Sequence, residues 1–294
     1  MKVGFIGVGN MGGPMCRNII RNTNHQVTVF DLNPTAMEAC TSLGASAGTS
    51  VAGVSGSCDV IFTSLPMPQH VEEVTLGDGG VAASARRGAV LIDLSTNSPT
   101  TARRVHEGMS AKGIGMLEAP VSGGVPRATD GTIVIMVGGD QALFEAQLPL
   151  LNSFSKEVIH VGDIGMGSVA KLCNNMLSFC NAAAASEALM LGAMAGIDVH
   201  KLHDVICNAS GNSDAFRNLA KKAFARNFKP GFALDLAHKD LRLALQMADE
   251  VGLPGMVAPQ VMNLMRIARG KGWGVDDSGS VLRVYETLMG KEIR

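Results

Sequence analysis

The sequence predicts an α/β domain built on a parallel sheet, followed by an all-α domain, with one long helix joining them. Three observations carry this expectation. Short β-rich apolar runs alternate with helical stretches through the first half of the chain. That alternation stops near Gly162, and only helical patterns follow. Between the two regimes, Gly167 to Gly196 is one stretch rich in Ala, Leu and Met with no proline. Strands alternating with helices imply βαβ units and therefore a parallel sheet. The expected domains are residues 1–162 and 163–294.

The strand-like runs are Val3–Ile6, Val27–Phe30, Val60–Leu65, Ala89–Leu94, Met116–Glu118, Ile133–Val137 and Val158–Val161. Most are continuously apolar rather than alternating, as strands covered on both faces should be. In the second half, Asp198, Ser213 and Asp276 read as helix N-caps, and Gly270 and Gly290 as helix stops. Pro254 fits the first turn of another helix.

A chain of 294 residues has the length of two domains. With 46% hydrophobic and 17% charged residues, it can bury a sizeable core. The formal net charge of −1 gives no footprint for nucleic acid or for an anionic membrane. One Trp and one Tyr offer no stacking surface for single strands. Cysteines 16, 40, 58, 173, 180 and 207 form no Cys-x-x-Cys pair, so free thiols in a reducing compartment are expected. Mean hydropathy is high, at +0.20, yet no run of about 20 uninterrupted apolar residues occurs, and no transmembrane helix is expected. The fold signal begins at residue 3. The expected location is the cytoplasm if the chain is complete, or the mitochondrial matrix if a transit peptide has been removed.

Residues 3–15 read Val-Gly-Phe-Ile-Gly-Val-Gly-Asn-Met-Gly-Gly-Pro-Met. Gly7, Gly9 and Gly12 form G-x-G-x-x-G between a predicted strand and a predicted helix. Gly7 permits a tight turn, Gly9 admits a pyrophosphate to the backbone, and Gly12 lets helix and strand pack closely. The helix N-terminus then offers N–H groups and partial positive charge to the phosphates. This is the fingerprint of a Rossmann-type dinucleotide-binding domain. Asp31 ends the second strand, 19 residues after Gly12. Its carboxylate suits ribose hydroxyls and repels a 2′-phosphate, and no arginine at 32 or 33 would neutralise that phosphate, so NAD is expected over NADP. Asp31 also fits the turn Asp-Leu-Asn-Pro, and both roles can hold together.

Lys171 and Asn175 are four apart, so they share a face of the predicted long helix. Their apolar neighbours are compatible with a lysine in a cleft or with an ordinary snorkelling lysine. The segment Ala119-Pro-Val-Ser-Gly-Gly124 reads as a loop after a strand, at the edge where parallel sheets bind ligands. Ser122 with the amides of Gly123 and Gly124 could cradle a carboxylate, although a structural Pro/Gly turn fits as well. Leu65-Pro66 and Ser95-Thr96 also follow strands. His200 and His203 lack further ligands at metal spacing and read as a surface pair, so no metal is expected. No nucleophile elbow or Walker loop is present.

Taken together, these segments resemble the β-hydroxyacid dehydrogenase family. Five motifs match in order: Gly4-Phe-Ile-Gly-Val-Gly-Asn-Met-Gly12, Ser64-Leu-Pro66, Asp93-Leu-Ser-Thr96, Ala119–Gly124, and Gly165-x-Gly-x-x-x-Lys-x-x-Asn-Asn175. A sixth, Lys239-Asp-Leu241, lies in the helical half, and the match spans nearly the whole chain. The resemblance implies a catalytic lysine at Lys171 and substrate contacts at Ser122, Gly123, Gly124 and Asn175. It implies cofactor contacts at Gly7, Val8, Gly9, Asn10, Met11, Gly12, Asp31, Leu65, Pro66, Thr96 and Lys239. It also implies a homo-oligomer, with the helical domain serving substrate binding and dimerisation.

The implied activity is NAD-dependent oxidation of a small β-hydroxy acid. 3-Hydroxyisobutyrate, as in valine catabolism, is the leading substrate. Reduction of tartronate semialdehyde or succinic semialdehyde is the alternative. Imine-reducing relatives lack the lysine, so Lys171 favours hydroxy-acid chemistry. A non-catalytic NAD-binding regulator is the reading outside the family. Joint retention of Lys171, Asn175 and Ser122-Gly-Gly124 argues against it. Two departures stand out: His70 where related mammalian-type enzymes have asparagine, and Ser210–Phe216 in place of a Ser-Ser-Gly-Arg form.

Overall fold

The apolar runs of the first half become strands. They are β1 (Lys2–Ile6), β2 (Gln26–Phe30), β3 (Ser46–Ala47), β4 (Val60–Thr63), β5 (Val90–Asp93), β6 (Gly115–Glu118), β7 (Val121–Ser122), β8 (Ile133–Gly139) and β9 (Ser155–Gly162). All belong to one sheet in the order β3-β2-β1-β4-β5-β6-β8-β7, with β9 parallel to β8. The pairs from β3 to β6 are all parallel. At β8 the sheet departs from the expected parallel pattern, because β8 runs antiparallel to β6 and β7. Only a six-residue helix lies between β7 and β8, so the chain folds back instead of crossing over. β3 and β7, two residues each, are too short to show a hydrophobic period.

Eight helices connect these strands: α1 (Gly12–Asn22), α2 (Pro34–Thr41), α3 (Val51–Ser57), α4 (Pro68–Leu76), α5 (Val81–Ser84), α6 (Pro99–Ala111), α7 (Gly124–Thr129) and α8 (Gln141–Asn152). Ser50, Ser98 and Asp140 cap α3, α6 and α8 by accepting from Gly53, Thr101 and Leu143 N–H groups. Those donors have no partner inside their helices.

The computed structural model describes residues 1–294 and divides into two compact units, Met1–Lys171 and Leu172–Arg294. In the first unit the continuous apolar runs split by the two-residue strand period. Val60, Phe62 and Ile92 point into one core with Met15 and Ile19 of α1 and Leu150 of α8. Ile61 and Leu91 point into another with Val54 of α3, Val71 of α4 and Met109 of α6. Val60–Phe62 of β4 and Val90–Ile92 of β5 are apolar at every position because both faces are covered.

The second unit is helical. α9 (Met166–Ala195) starts in the first unit and runs on into the second, where it is followed by α10 (Val199–Cys207), α11 (Asp214–Phe224), α12 (Leu234–Glu250), α13 (Ala258–Gly270) and α14 (Leu282–Met289). Asp198 and Ser213 cap α10 and α11, and Gly290 closes α14 in the left-handed region at φ 62°. Two expectations shift. The cap near 276 is Asp277, whose carboxylate accepts from Gly279 N, while Asp276 accepts from Arg283. The proline that opens α13 is Pro259 in its first turn, not Pro254, which lies ahead of the helix.

By length and composition α9 is long and apolar enough to cross a membrane, although polar residues interrupt its apolar run as far as Glu187. Packing accounts for much of that character. Phe179 and Ala183 sit in a core with Leu241 and Met262, and Leu189 and Met190 sit in another with Phe216 and Leu219. Leu177, Leu191 and Met194 remain exposed.

Phe62 is fully buried and stacks on Phe5 at 5.4 Å between ring centroids, with Phe154 edge-on at 5.8 Å. Phe62→Ala should therefore destabilise the first unit by about 3–5 kcal/mol. Urea unfolding followed in that unit measures this, and a loss below about 1 kcal/mol would contradict the packing described.

Candidate active site

Apart from Lys239, which lies on α12 in the second unit, the cofactor residues expected from sequence follow the C-terminal ends of β1, β2, β4 and β5, adjacent strands of the parallel sheet. This is the edge where open α/β sheets bind ligands. The three fingerprint glycines are not equivalent. Gly7 has φ +88°, and a Cβ there would lie 2.4 Å from the Ser64 carbonyl oxygen. A Cβ on Gly12 would lie 2.0 Å from the Gly7 carbonyl oxygen. A Cβ on Gly9 would meet nothing within 4 Å. Protein packing thus requires Gly7 and Gly12, while Gly9 keeps open space beside the backbone. Met11, the cap residue of α1, provides no side-chain hydrogen bond. An open glycine and a helix start without a side-chain cap fit a pyrophosphate. Val8 is buried, and Asn10 is exposed.

Asp31 makes the turn expected of it and holds the glycine loop as well. Its Oδ1 accepts from Asn33 N at 2.8 Å, forming the turn, and its Oδ2 accepts from Val8 N at 2.9 Å, tying the glycine loop to β2. A carboxylate has about four acceptor sites, so capacity remains for ribose hydroxyls.

The loops after β4 and β5 are joined by a residue to which the sequence assigned no role. Asp93, 1% exposed, accepts from Thr63 Oγ1 at 2.8 Å, Ser95 N at 3.1 Å and Asn97 Nδ2 at 2.6 Å. Leu65 N donates to Ser95 Oγ at 2.9 Å. Burial pushes the Asp93 carboxyl up, against the pull of these hydrogen bonds. Asp93 thereby sets the backbone around Leu65 and Thr96. Pro66 and His70 lie at or near the surface.

The segment Ala119–Gly124 is not wholly a loop. Val121 and Ser122 form β7 and pair with Ile135 and Val134 of β8. Gly123 and Gly124 follow at φ +136° and +67°, a backbone course that favours glycine.

Glu118, the last residue of β6, is 2% exposed and reaches the start of α9. Its carboxylate accepts from the N–H groups of Gly165, Gly167 (2.9 Å) and Ser168 (3.2 Å), and from Ser168 Oγ at 2.5 Å. Burial pushes this carboxyl up, and the four donors oppose the shift. Lys171 follows one turn later on α9 and is 8% exposed. In the second unit, Asn175 Nδ2 donates to Asp240 Oδ2 at 2.7 Å, and Lys239 Nζ lies 3.1 Å from Asp240 Oδ1. Asp240 is 2% exposed. One buried carboxylate therefore orients two residues that the sequence motifs placed in different roles.

The sequence holds only a faint signal for Glu118: an acid closing a buried strand. Asp93 and Asp240 sit inside recognised motifs, but their partners are not visible there. Ser210–Phe216 includes the α11 cap Ser213, which accepts from Phe216 N at 3.0 Å. His200 and His203 pack on the Phe224 ring at 4.2 and 5.7 Å.

The glycine geometry separates stability from binding. Gly9→Ala should leave the melting temperature nearly unchanged and weaken dinucleotide binding at least about tenfold, a change of about 1.4 kcal/mol. Gly12→Ala should lower the melting temperature as well, because its methyl group meets backbone. Fluorescence titration and thermal melts check this, and a Gly9→Ala protein with normal affinity would contradict the assignment of that open space.

Two family models cover the chain. The NAD-binding domain of 6-phosphogluconate dehydrogenase matches residues 2–162. The NAD-binding model of NADP-dependent 3-hydroxyisobutyrate dehydrogenase matches residues 165–285. The chain is 37% identical over 294 residues to 2-(hydroxymethyl)glutarate dehydrogenase of Eubacterium barkeri, covering 100% of this chain and 97% of that protein. It is 39% identical to 3-hydroxyisobutyrate dehydrogenase of Pseudomonas aeruginosa, covering 96% and 98%. Among solved structures, Mycobacterium tuberculosis 3-hydroxyisobutyrate dehydrogenase with L-serine superposes with a TM-score of 0.88 at 32% identity, covering 96% and 98%. The chain belongs to the β-hydroxyacid dehydrogenase family and is a hydroxy-acid oxidoreductase that uses a nicotinamide cofactor.

Proposed function

We propose that this enzyme oxidises a small β-hydroxy acid with NAD, that 3-hydroxyisobutyrate is its leading substrate, and that Lys171 is the acid/base group. The observation that carries the reading is a buried lysine, 8% exposed, one turn into a helix whose first amides are held by Glu118. A surface-snorkelling lysine would keep its head in water. Ser122 and the amides of Gly123 and Gly124 receive the substrate carboxylate. Asn175 adds its second amide N–H, the first being committed to Asp240. Lys171 Nζ takes the hydroxyl proton during oxidation and returns it in reduction. The nicotinamide supplies the hydride acceptor when bound. Gly7 to Gly12, Asp31, Leu65, Pro66, Thr96 and Lys239 hold the cofactor.

A second substrate has specific support, since the relative matching all 294 residues is named for 2-(hydroxymethyl)glutarate. A panel of 3-hydroxyisobutyrate, 2-(hydroxymethyl)glutarate, L-serine and glycerate, ranked by kcat/KM, decides between them. The substrate with the highest kcat/KM identifies the specificity.

Lys171→Ala should fold, bind NAD and lose about 10²–10⁴-fold in kcat. Lys171→Arg should not restore it, because guanidinium stays protonated near neutral pH. The rise of kcat/KM with pH during oxidation should vanish in the alanine variant. A variant keeping more than roughly a tenth of kcat with an intact pH profile would remove the acid/base role.

Cofactor choice rests on Asp31. Wild-type kcat/KM should be much higher with NAD than with NADP. Leu32 is 92% exposed, so an arginine there is accommodated. Asp31→Asn with Leu32→Arg should shift the ratio toward NADP by roughly tenfold or more, by removing repulsion and adding a phosphate partner. An equal or reversed wild-type ratio contradicts the assignment.

A further inference from the structure

We propose that Glu118 is a positioning residue for the reaction: its carboxylate fixes the first turn of α9 and thereby sets where Lys171 stands relative to Ser122. This rests on Lys171 being the acid/base group. Glu118 is held in the sheet on both sides, in register with Asp93 on β5 and Gly138 on β8. Four residues later the same backbone presents Ser122, itself in register with Val134. The side chain of Glu118 meanwhile binds the amides of Gly165, Gly167 and Ser168 and the Ser168 hydroxyl. Ser168 is three residues, one helical turn, ahead of Lys171. One residue thus joins the strand leading to the substrate cradle to the helix carrying the acid/base group.

The surroundings are shaped for this carboxylate. A Cβ on Gly138 would lie 2.5 Å from Glu118 Oε1, and one on Gly167 would lie 3.2 Å from Glu118 Cδ and 2.8 Å from the Met136 carbonyl oxygen. Gly165 turns at φ +101°, with the Arg103 guanidinium so close that a Cβ would be 2.9 Å from its Nη2. Glycines at these positions let the acid approach the helix start without side-chain interference. All four groups around the carboxylate can donate to it, so a neutral amide at 118 would set N–H against N–H. Loss of the anchor shifts the helix start, and a displacement of about 1 Å at a reacting group can cost about a hundredfold in rate.

Glu118→Gln keeps the shape but removes the charge and turns one of the two acceptor oxygens into a donor, whereas Glu118→Asp keeps the charge and falls one methylene short. Both are measured beside Lys171→Ala, with the preferred hydroxy acid and with that substrate deuterated at the carbinol carbon. For Glu118→Gln we expect kcat to fall about ten- to a hundredfold. NAD affinity and substrate KM should stay within about twofold. The primary isotope effect on kcat should rise as the chemical step slows, and amide exchange over residues 164–170 should accelerate. Glu118→Asp should lie between wild type and Glu118→Gln. If Glu118→Gln does not fold, Glu118→Asp decides by the same readouts. A variant with lower melting temperature but unchanged kcat per folded enzyme and unchanged isotope effect overturns the proposal, leaving Glu118 a stabilising cap only. If Lys171→Ala retains its rate and pH profile, the acid/base reading fails and the positioning proposal falls with it. If Lys171→Ala loses activity while Glu118→Gln keeps it, the positioning proposal alone is overturned.

Discussion

Carboxylates at the C-terminal edge of the parallel sheet collect backbone N–H groups from loops and helix starts, and the candidate site is assembled from these bonds. Asp31 follows β2 and binds the amides of Val8 and Asn33. Asp93 ends β5 and binds the amide of Ser95. Glu118 ends β6 and binds three amides at the start of α9. The chemistry explains the choice of residue. Loops and helix N-termini bring donors without helical or sheet partners to this edge. A carboxylate accepts at both oxygens and from several directions. Leaving one such donor buried without a partner costs about 1–3 kcal/mol.

The glycines complement the acids. Where the acids supply acceptors, the glycines remove atoms that would block the approach. Gly138 and Gly167 clear the path of Glu118, and Gly7 and Gly12 let α1 approach β1 and the loop after β4. Gly9 differs from these four because no protein atom demands it. In a G-x-G-x-x-G turn at the ligand-binding edge of the sheet, such open space suits a dinucleotide approaching the backbone. Within this motif, glycines that protein packing requires are thus separable by geometry from the one it leaves open.

Sequence alone revealed much of this architecture, for identifiable reasons. Continuous apolar runs announced strands covered on both faces, and the structure divides those of β4 and β5 between two cores. The long helix was visible from Ala, Leu and Met without proline, and it spans Met166–Ala195. Two-residue strands such as β7 carry no period, so Val121–Ser122 read as loop. The anchoring acids were hidden for a different reason. Glu118 finds its partners 47 to 50 residues away, and Asp240 finds Asn175 65 residues away. A motif records that a residue type recurs, but not which distant amide it holds.

The long helix shows how a mainly apolar core element can also carry buried polar groups. Ser168, Lys171 and Asn175 are spaced three and four apart, so they share one face of α9. They are 1%, 8% and 7% exposed, buried polar groups on a mainly apolar helix. Burying polar groups is unfavourable unless hydrogen bonds compensate. The outer two are each held by a buried acid within their own unit, Ser168 by Glu118 and Asn175 by Asp240. Lys171 lies one turn beyond Ser168, whose position Glu118 fixes. The helix backbone fixes the axial position of its Cα, and the Glu118 anchor opposes rotation of the first turn about the helix axis. The remaining freedom of its long, flexible side chain is confined to its own rotamers.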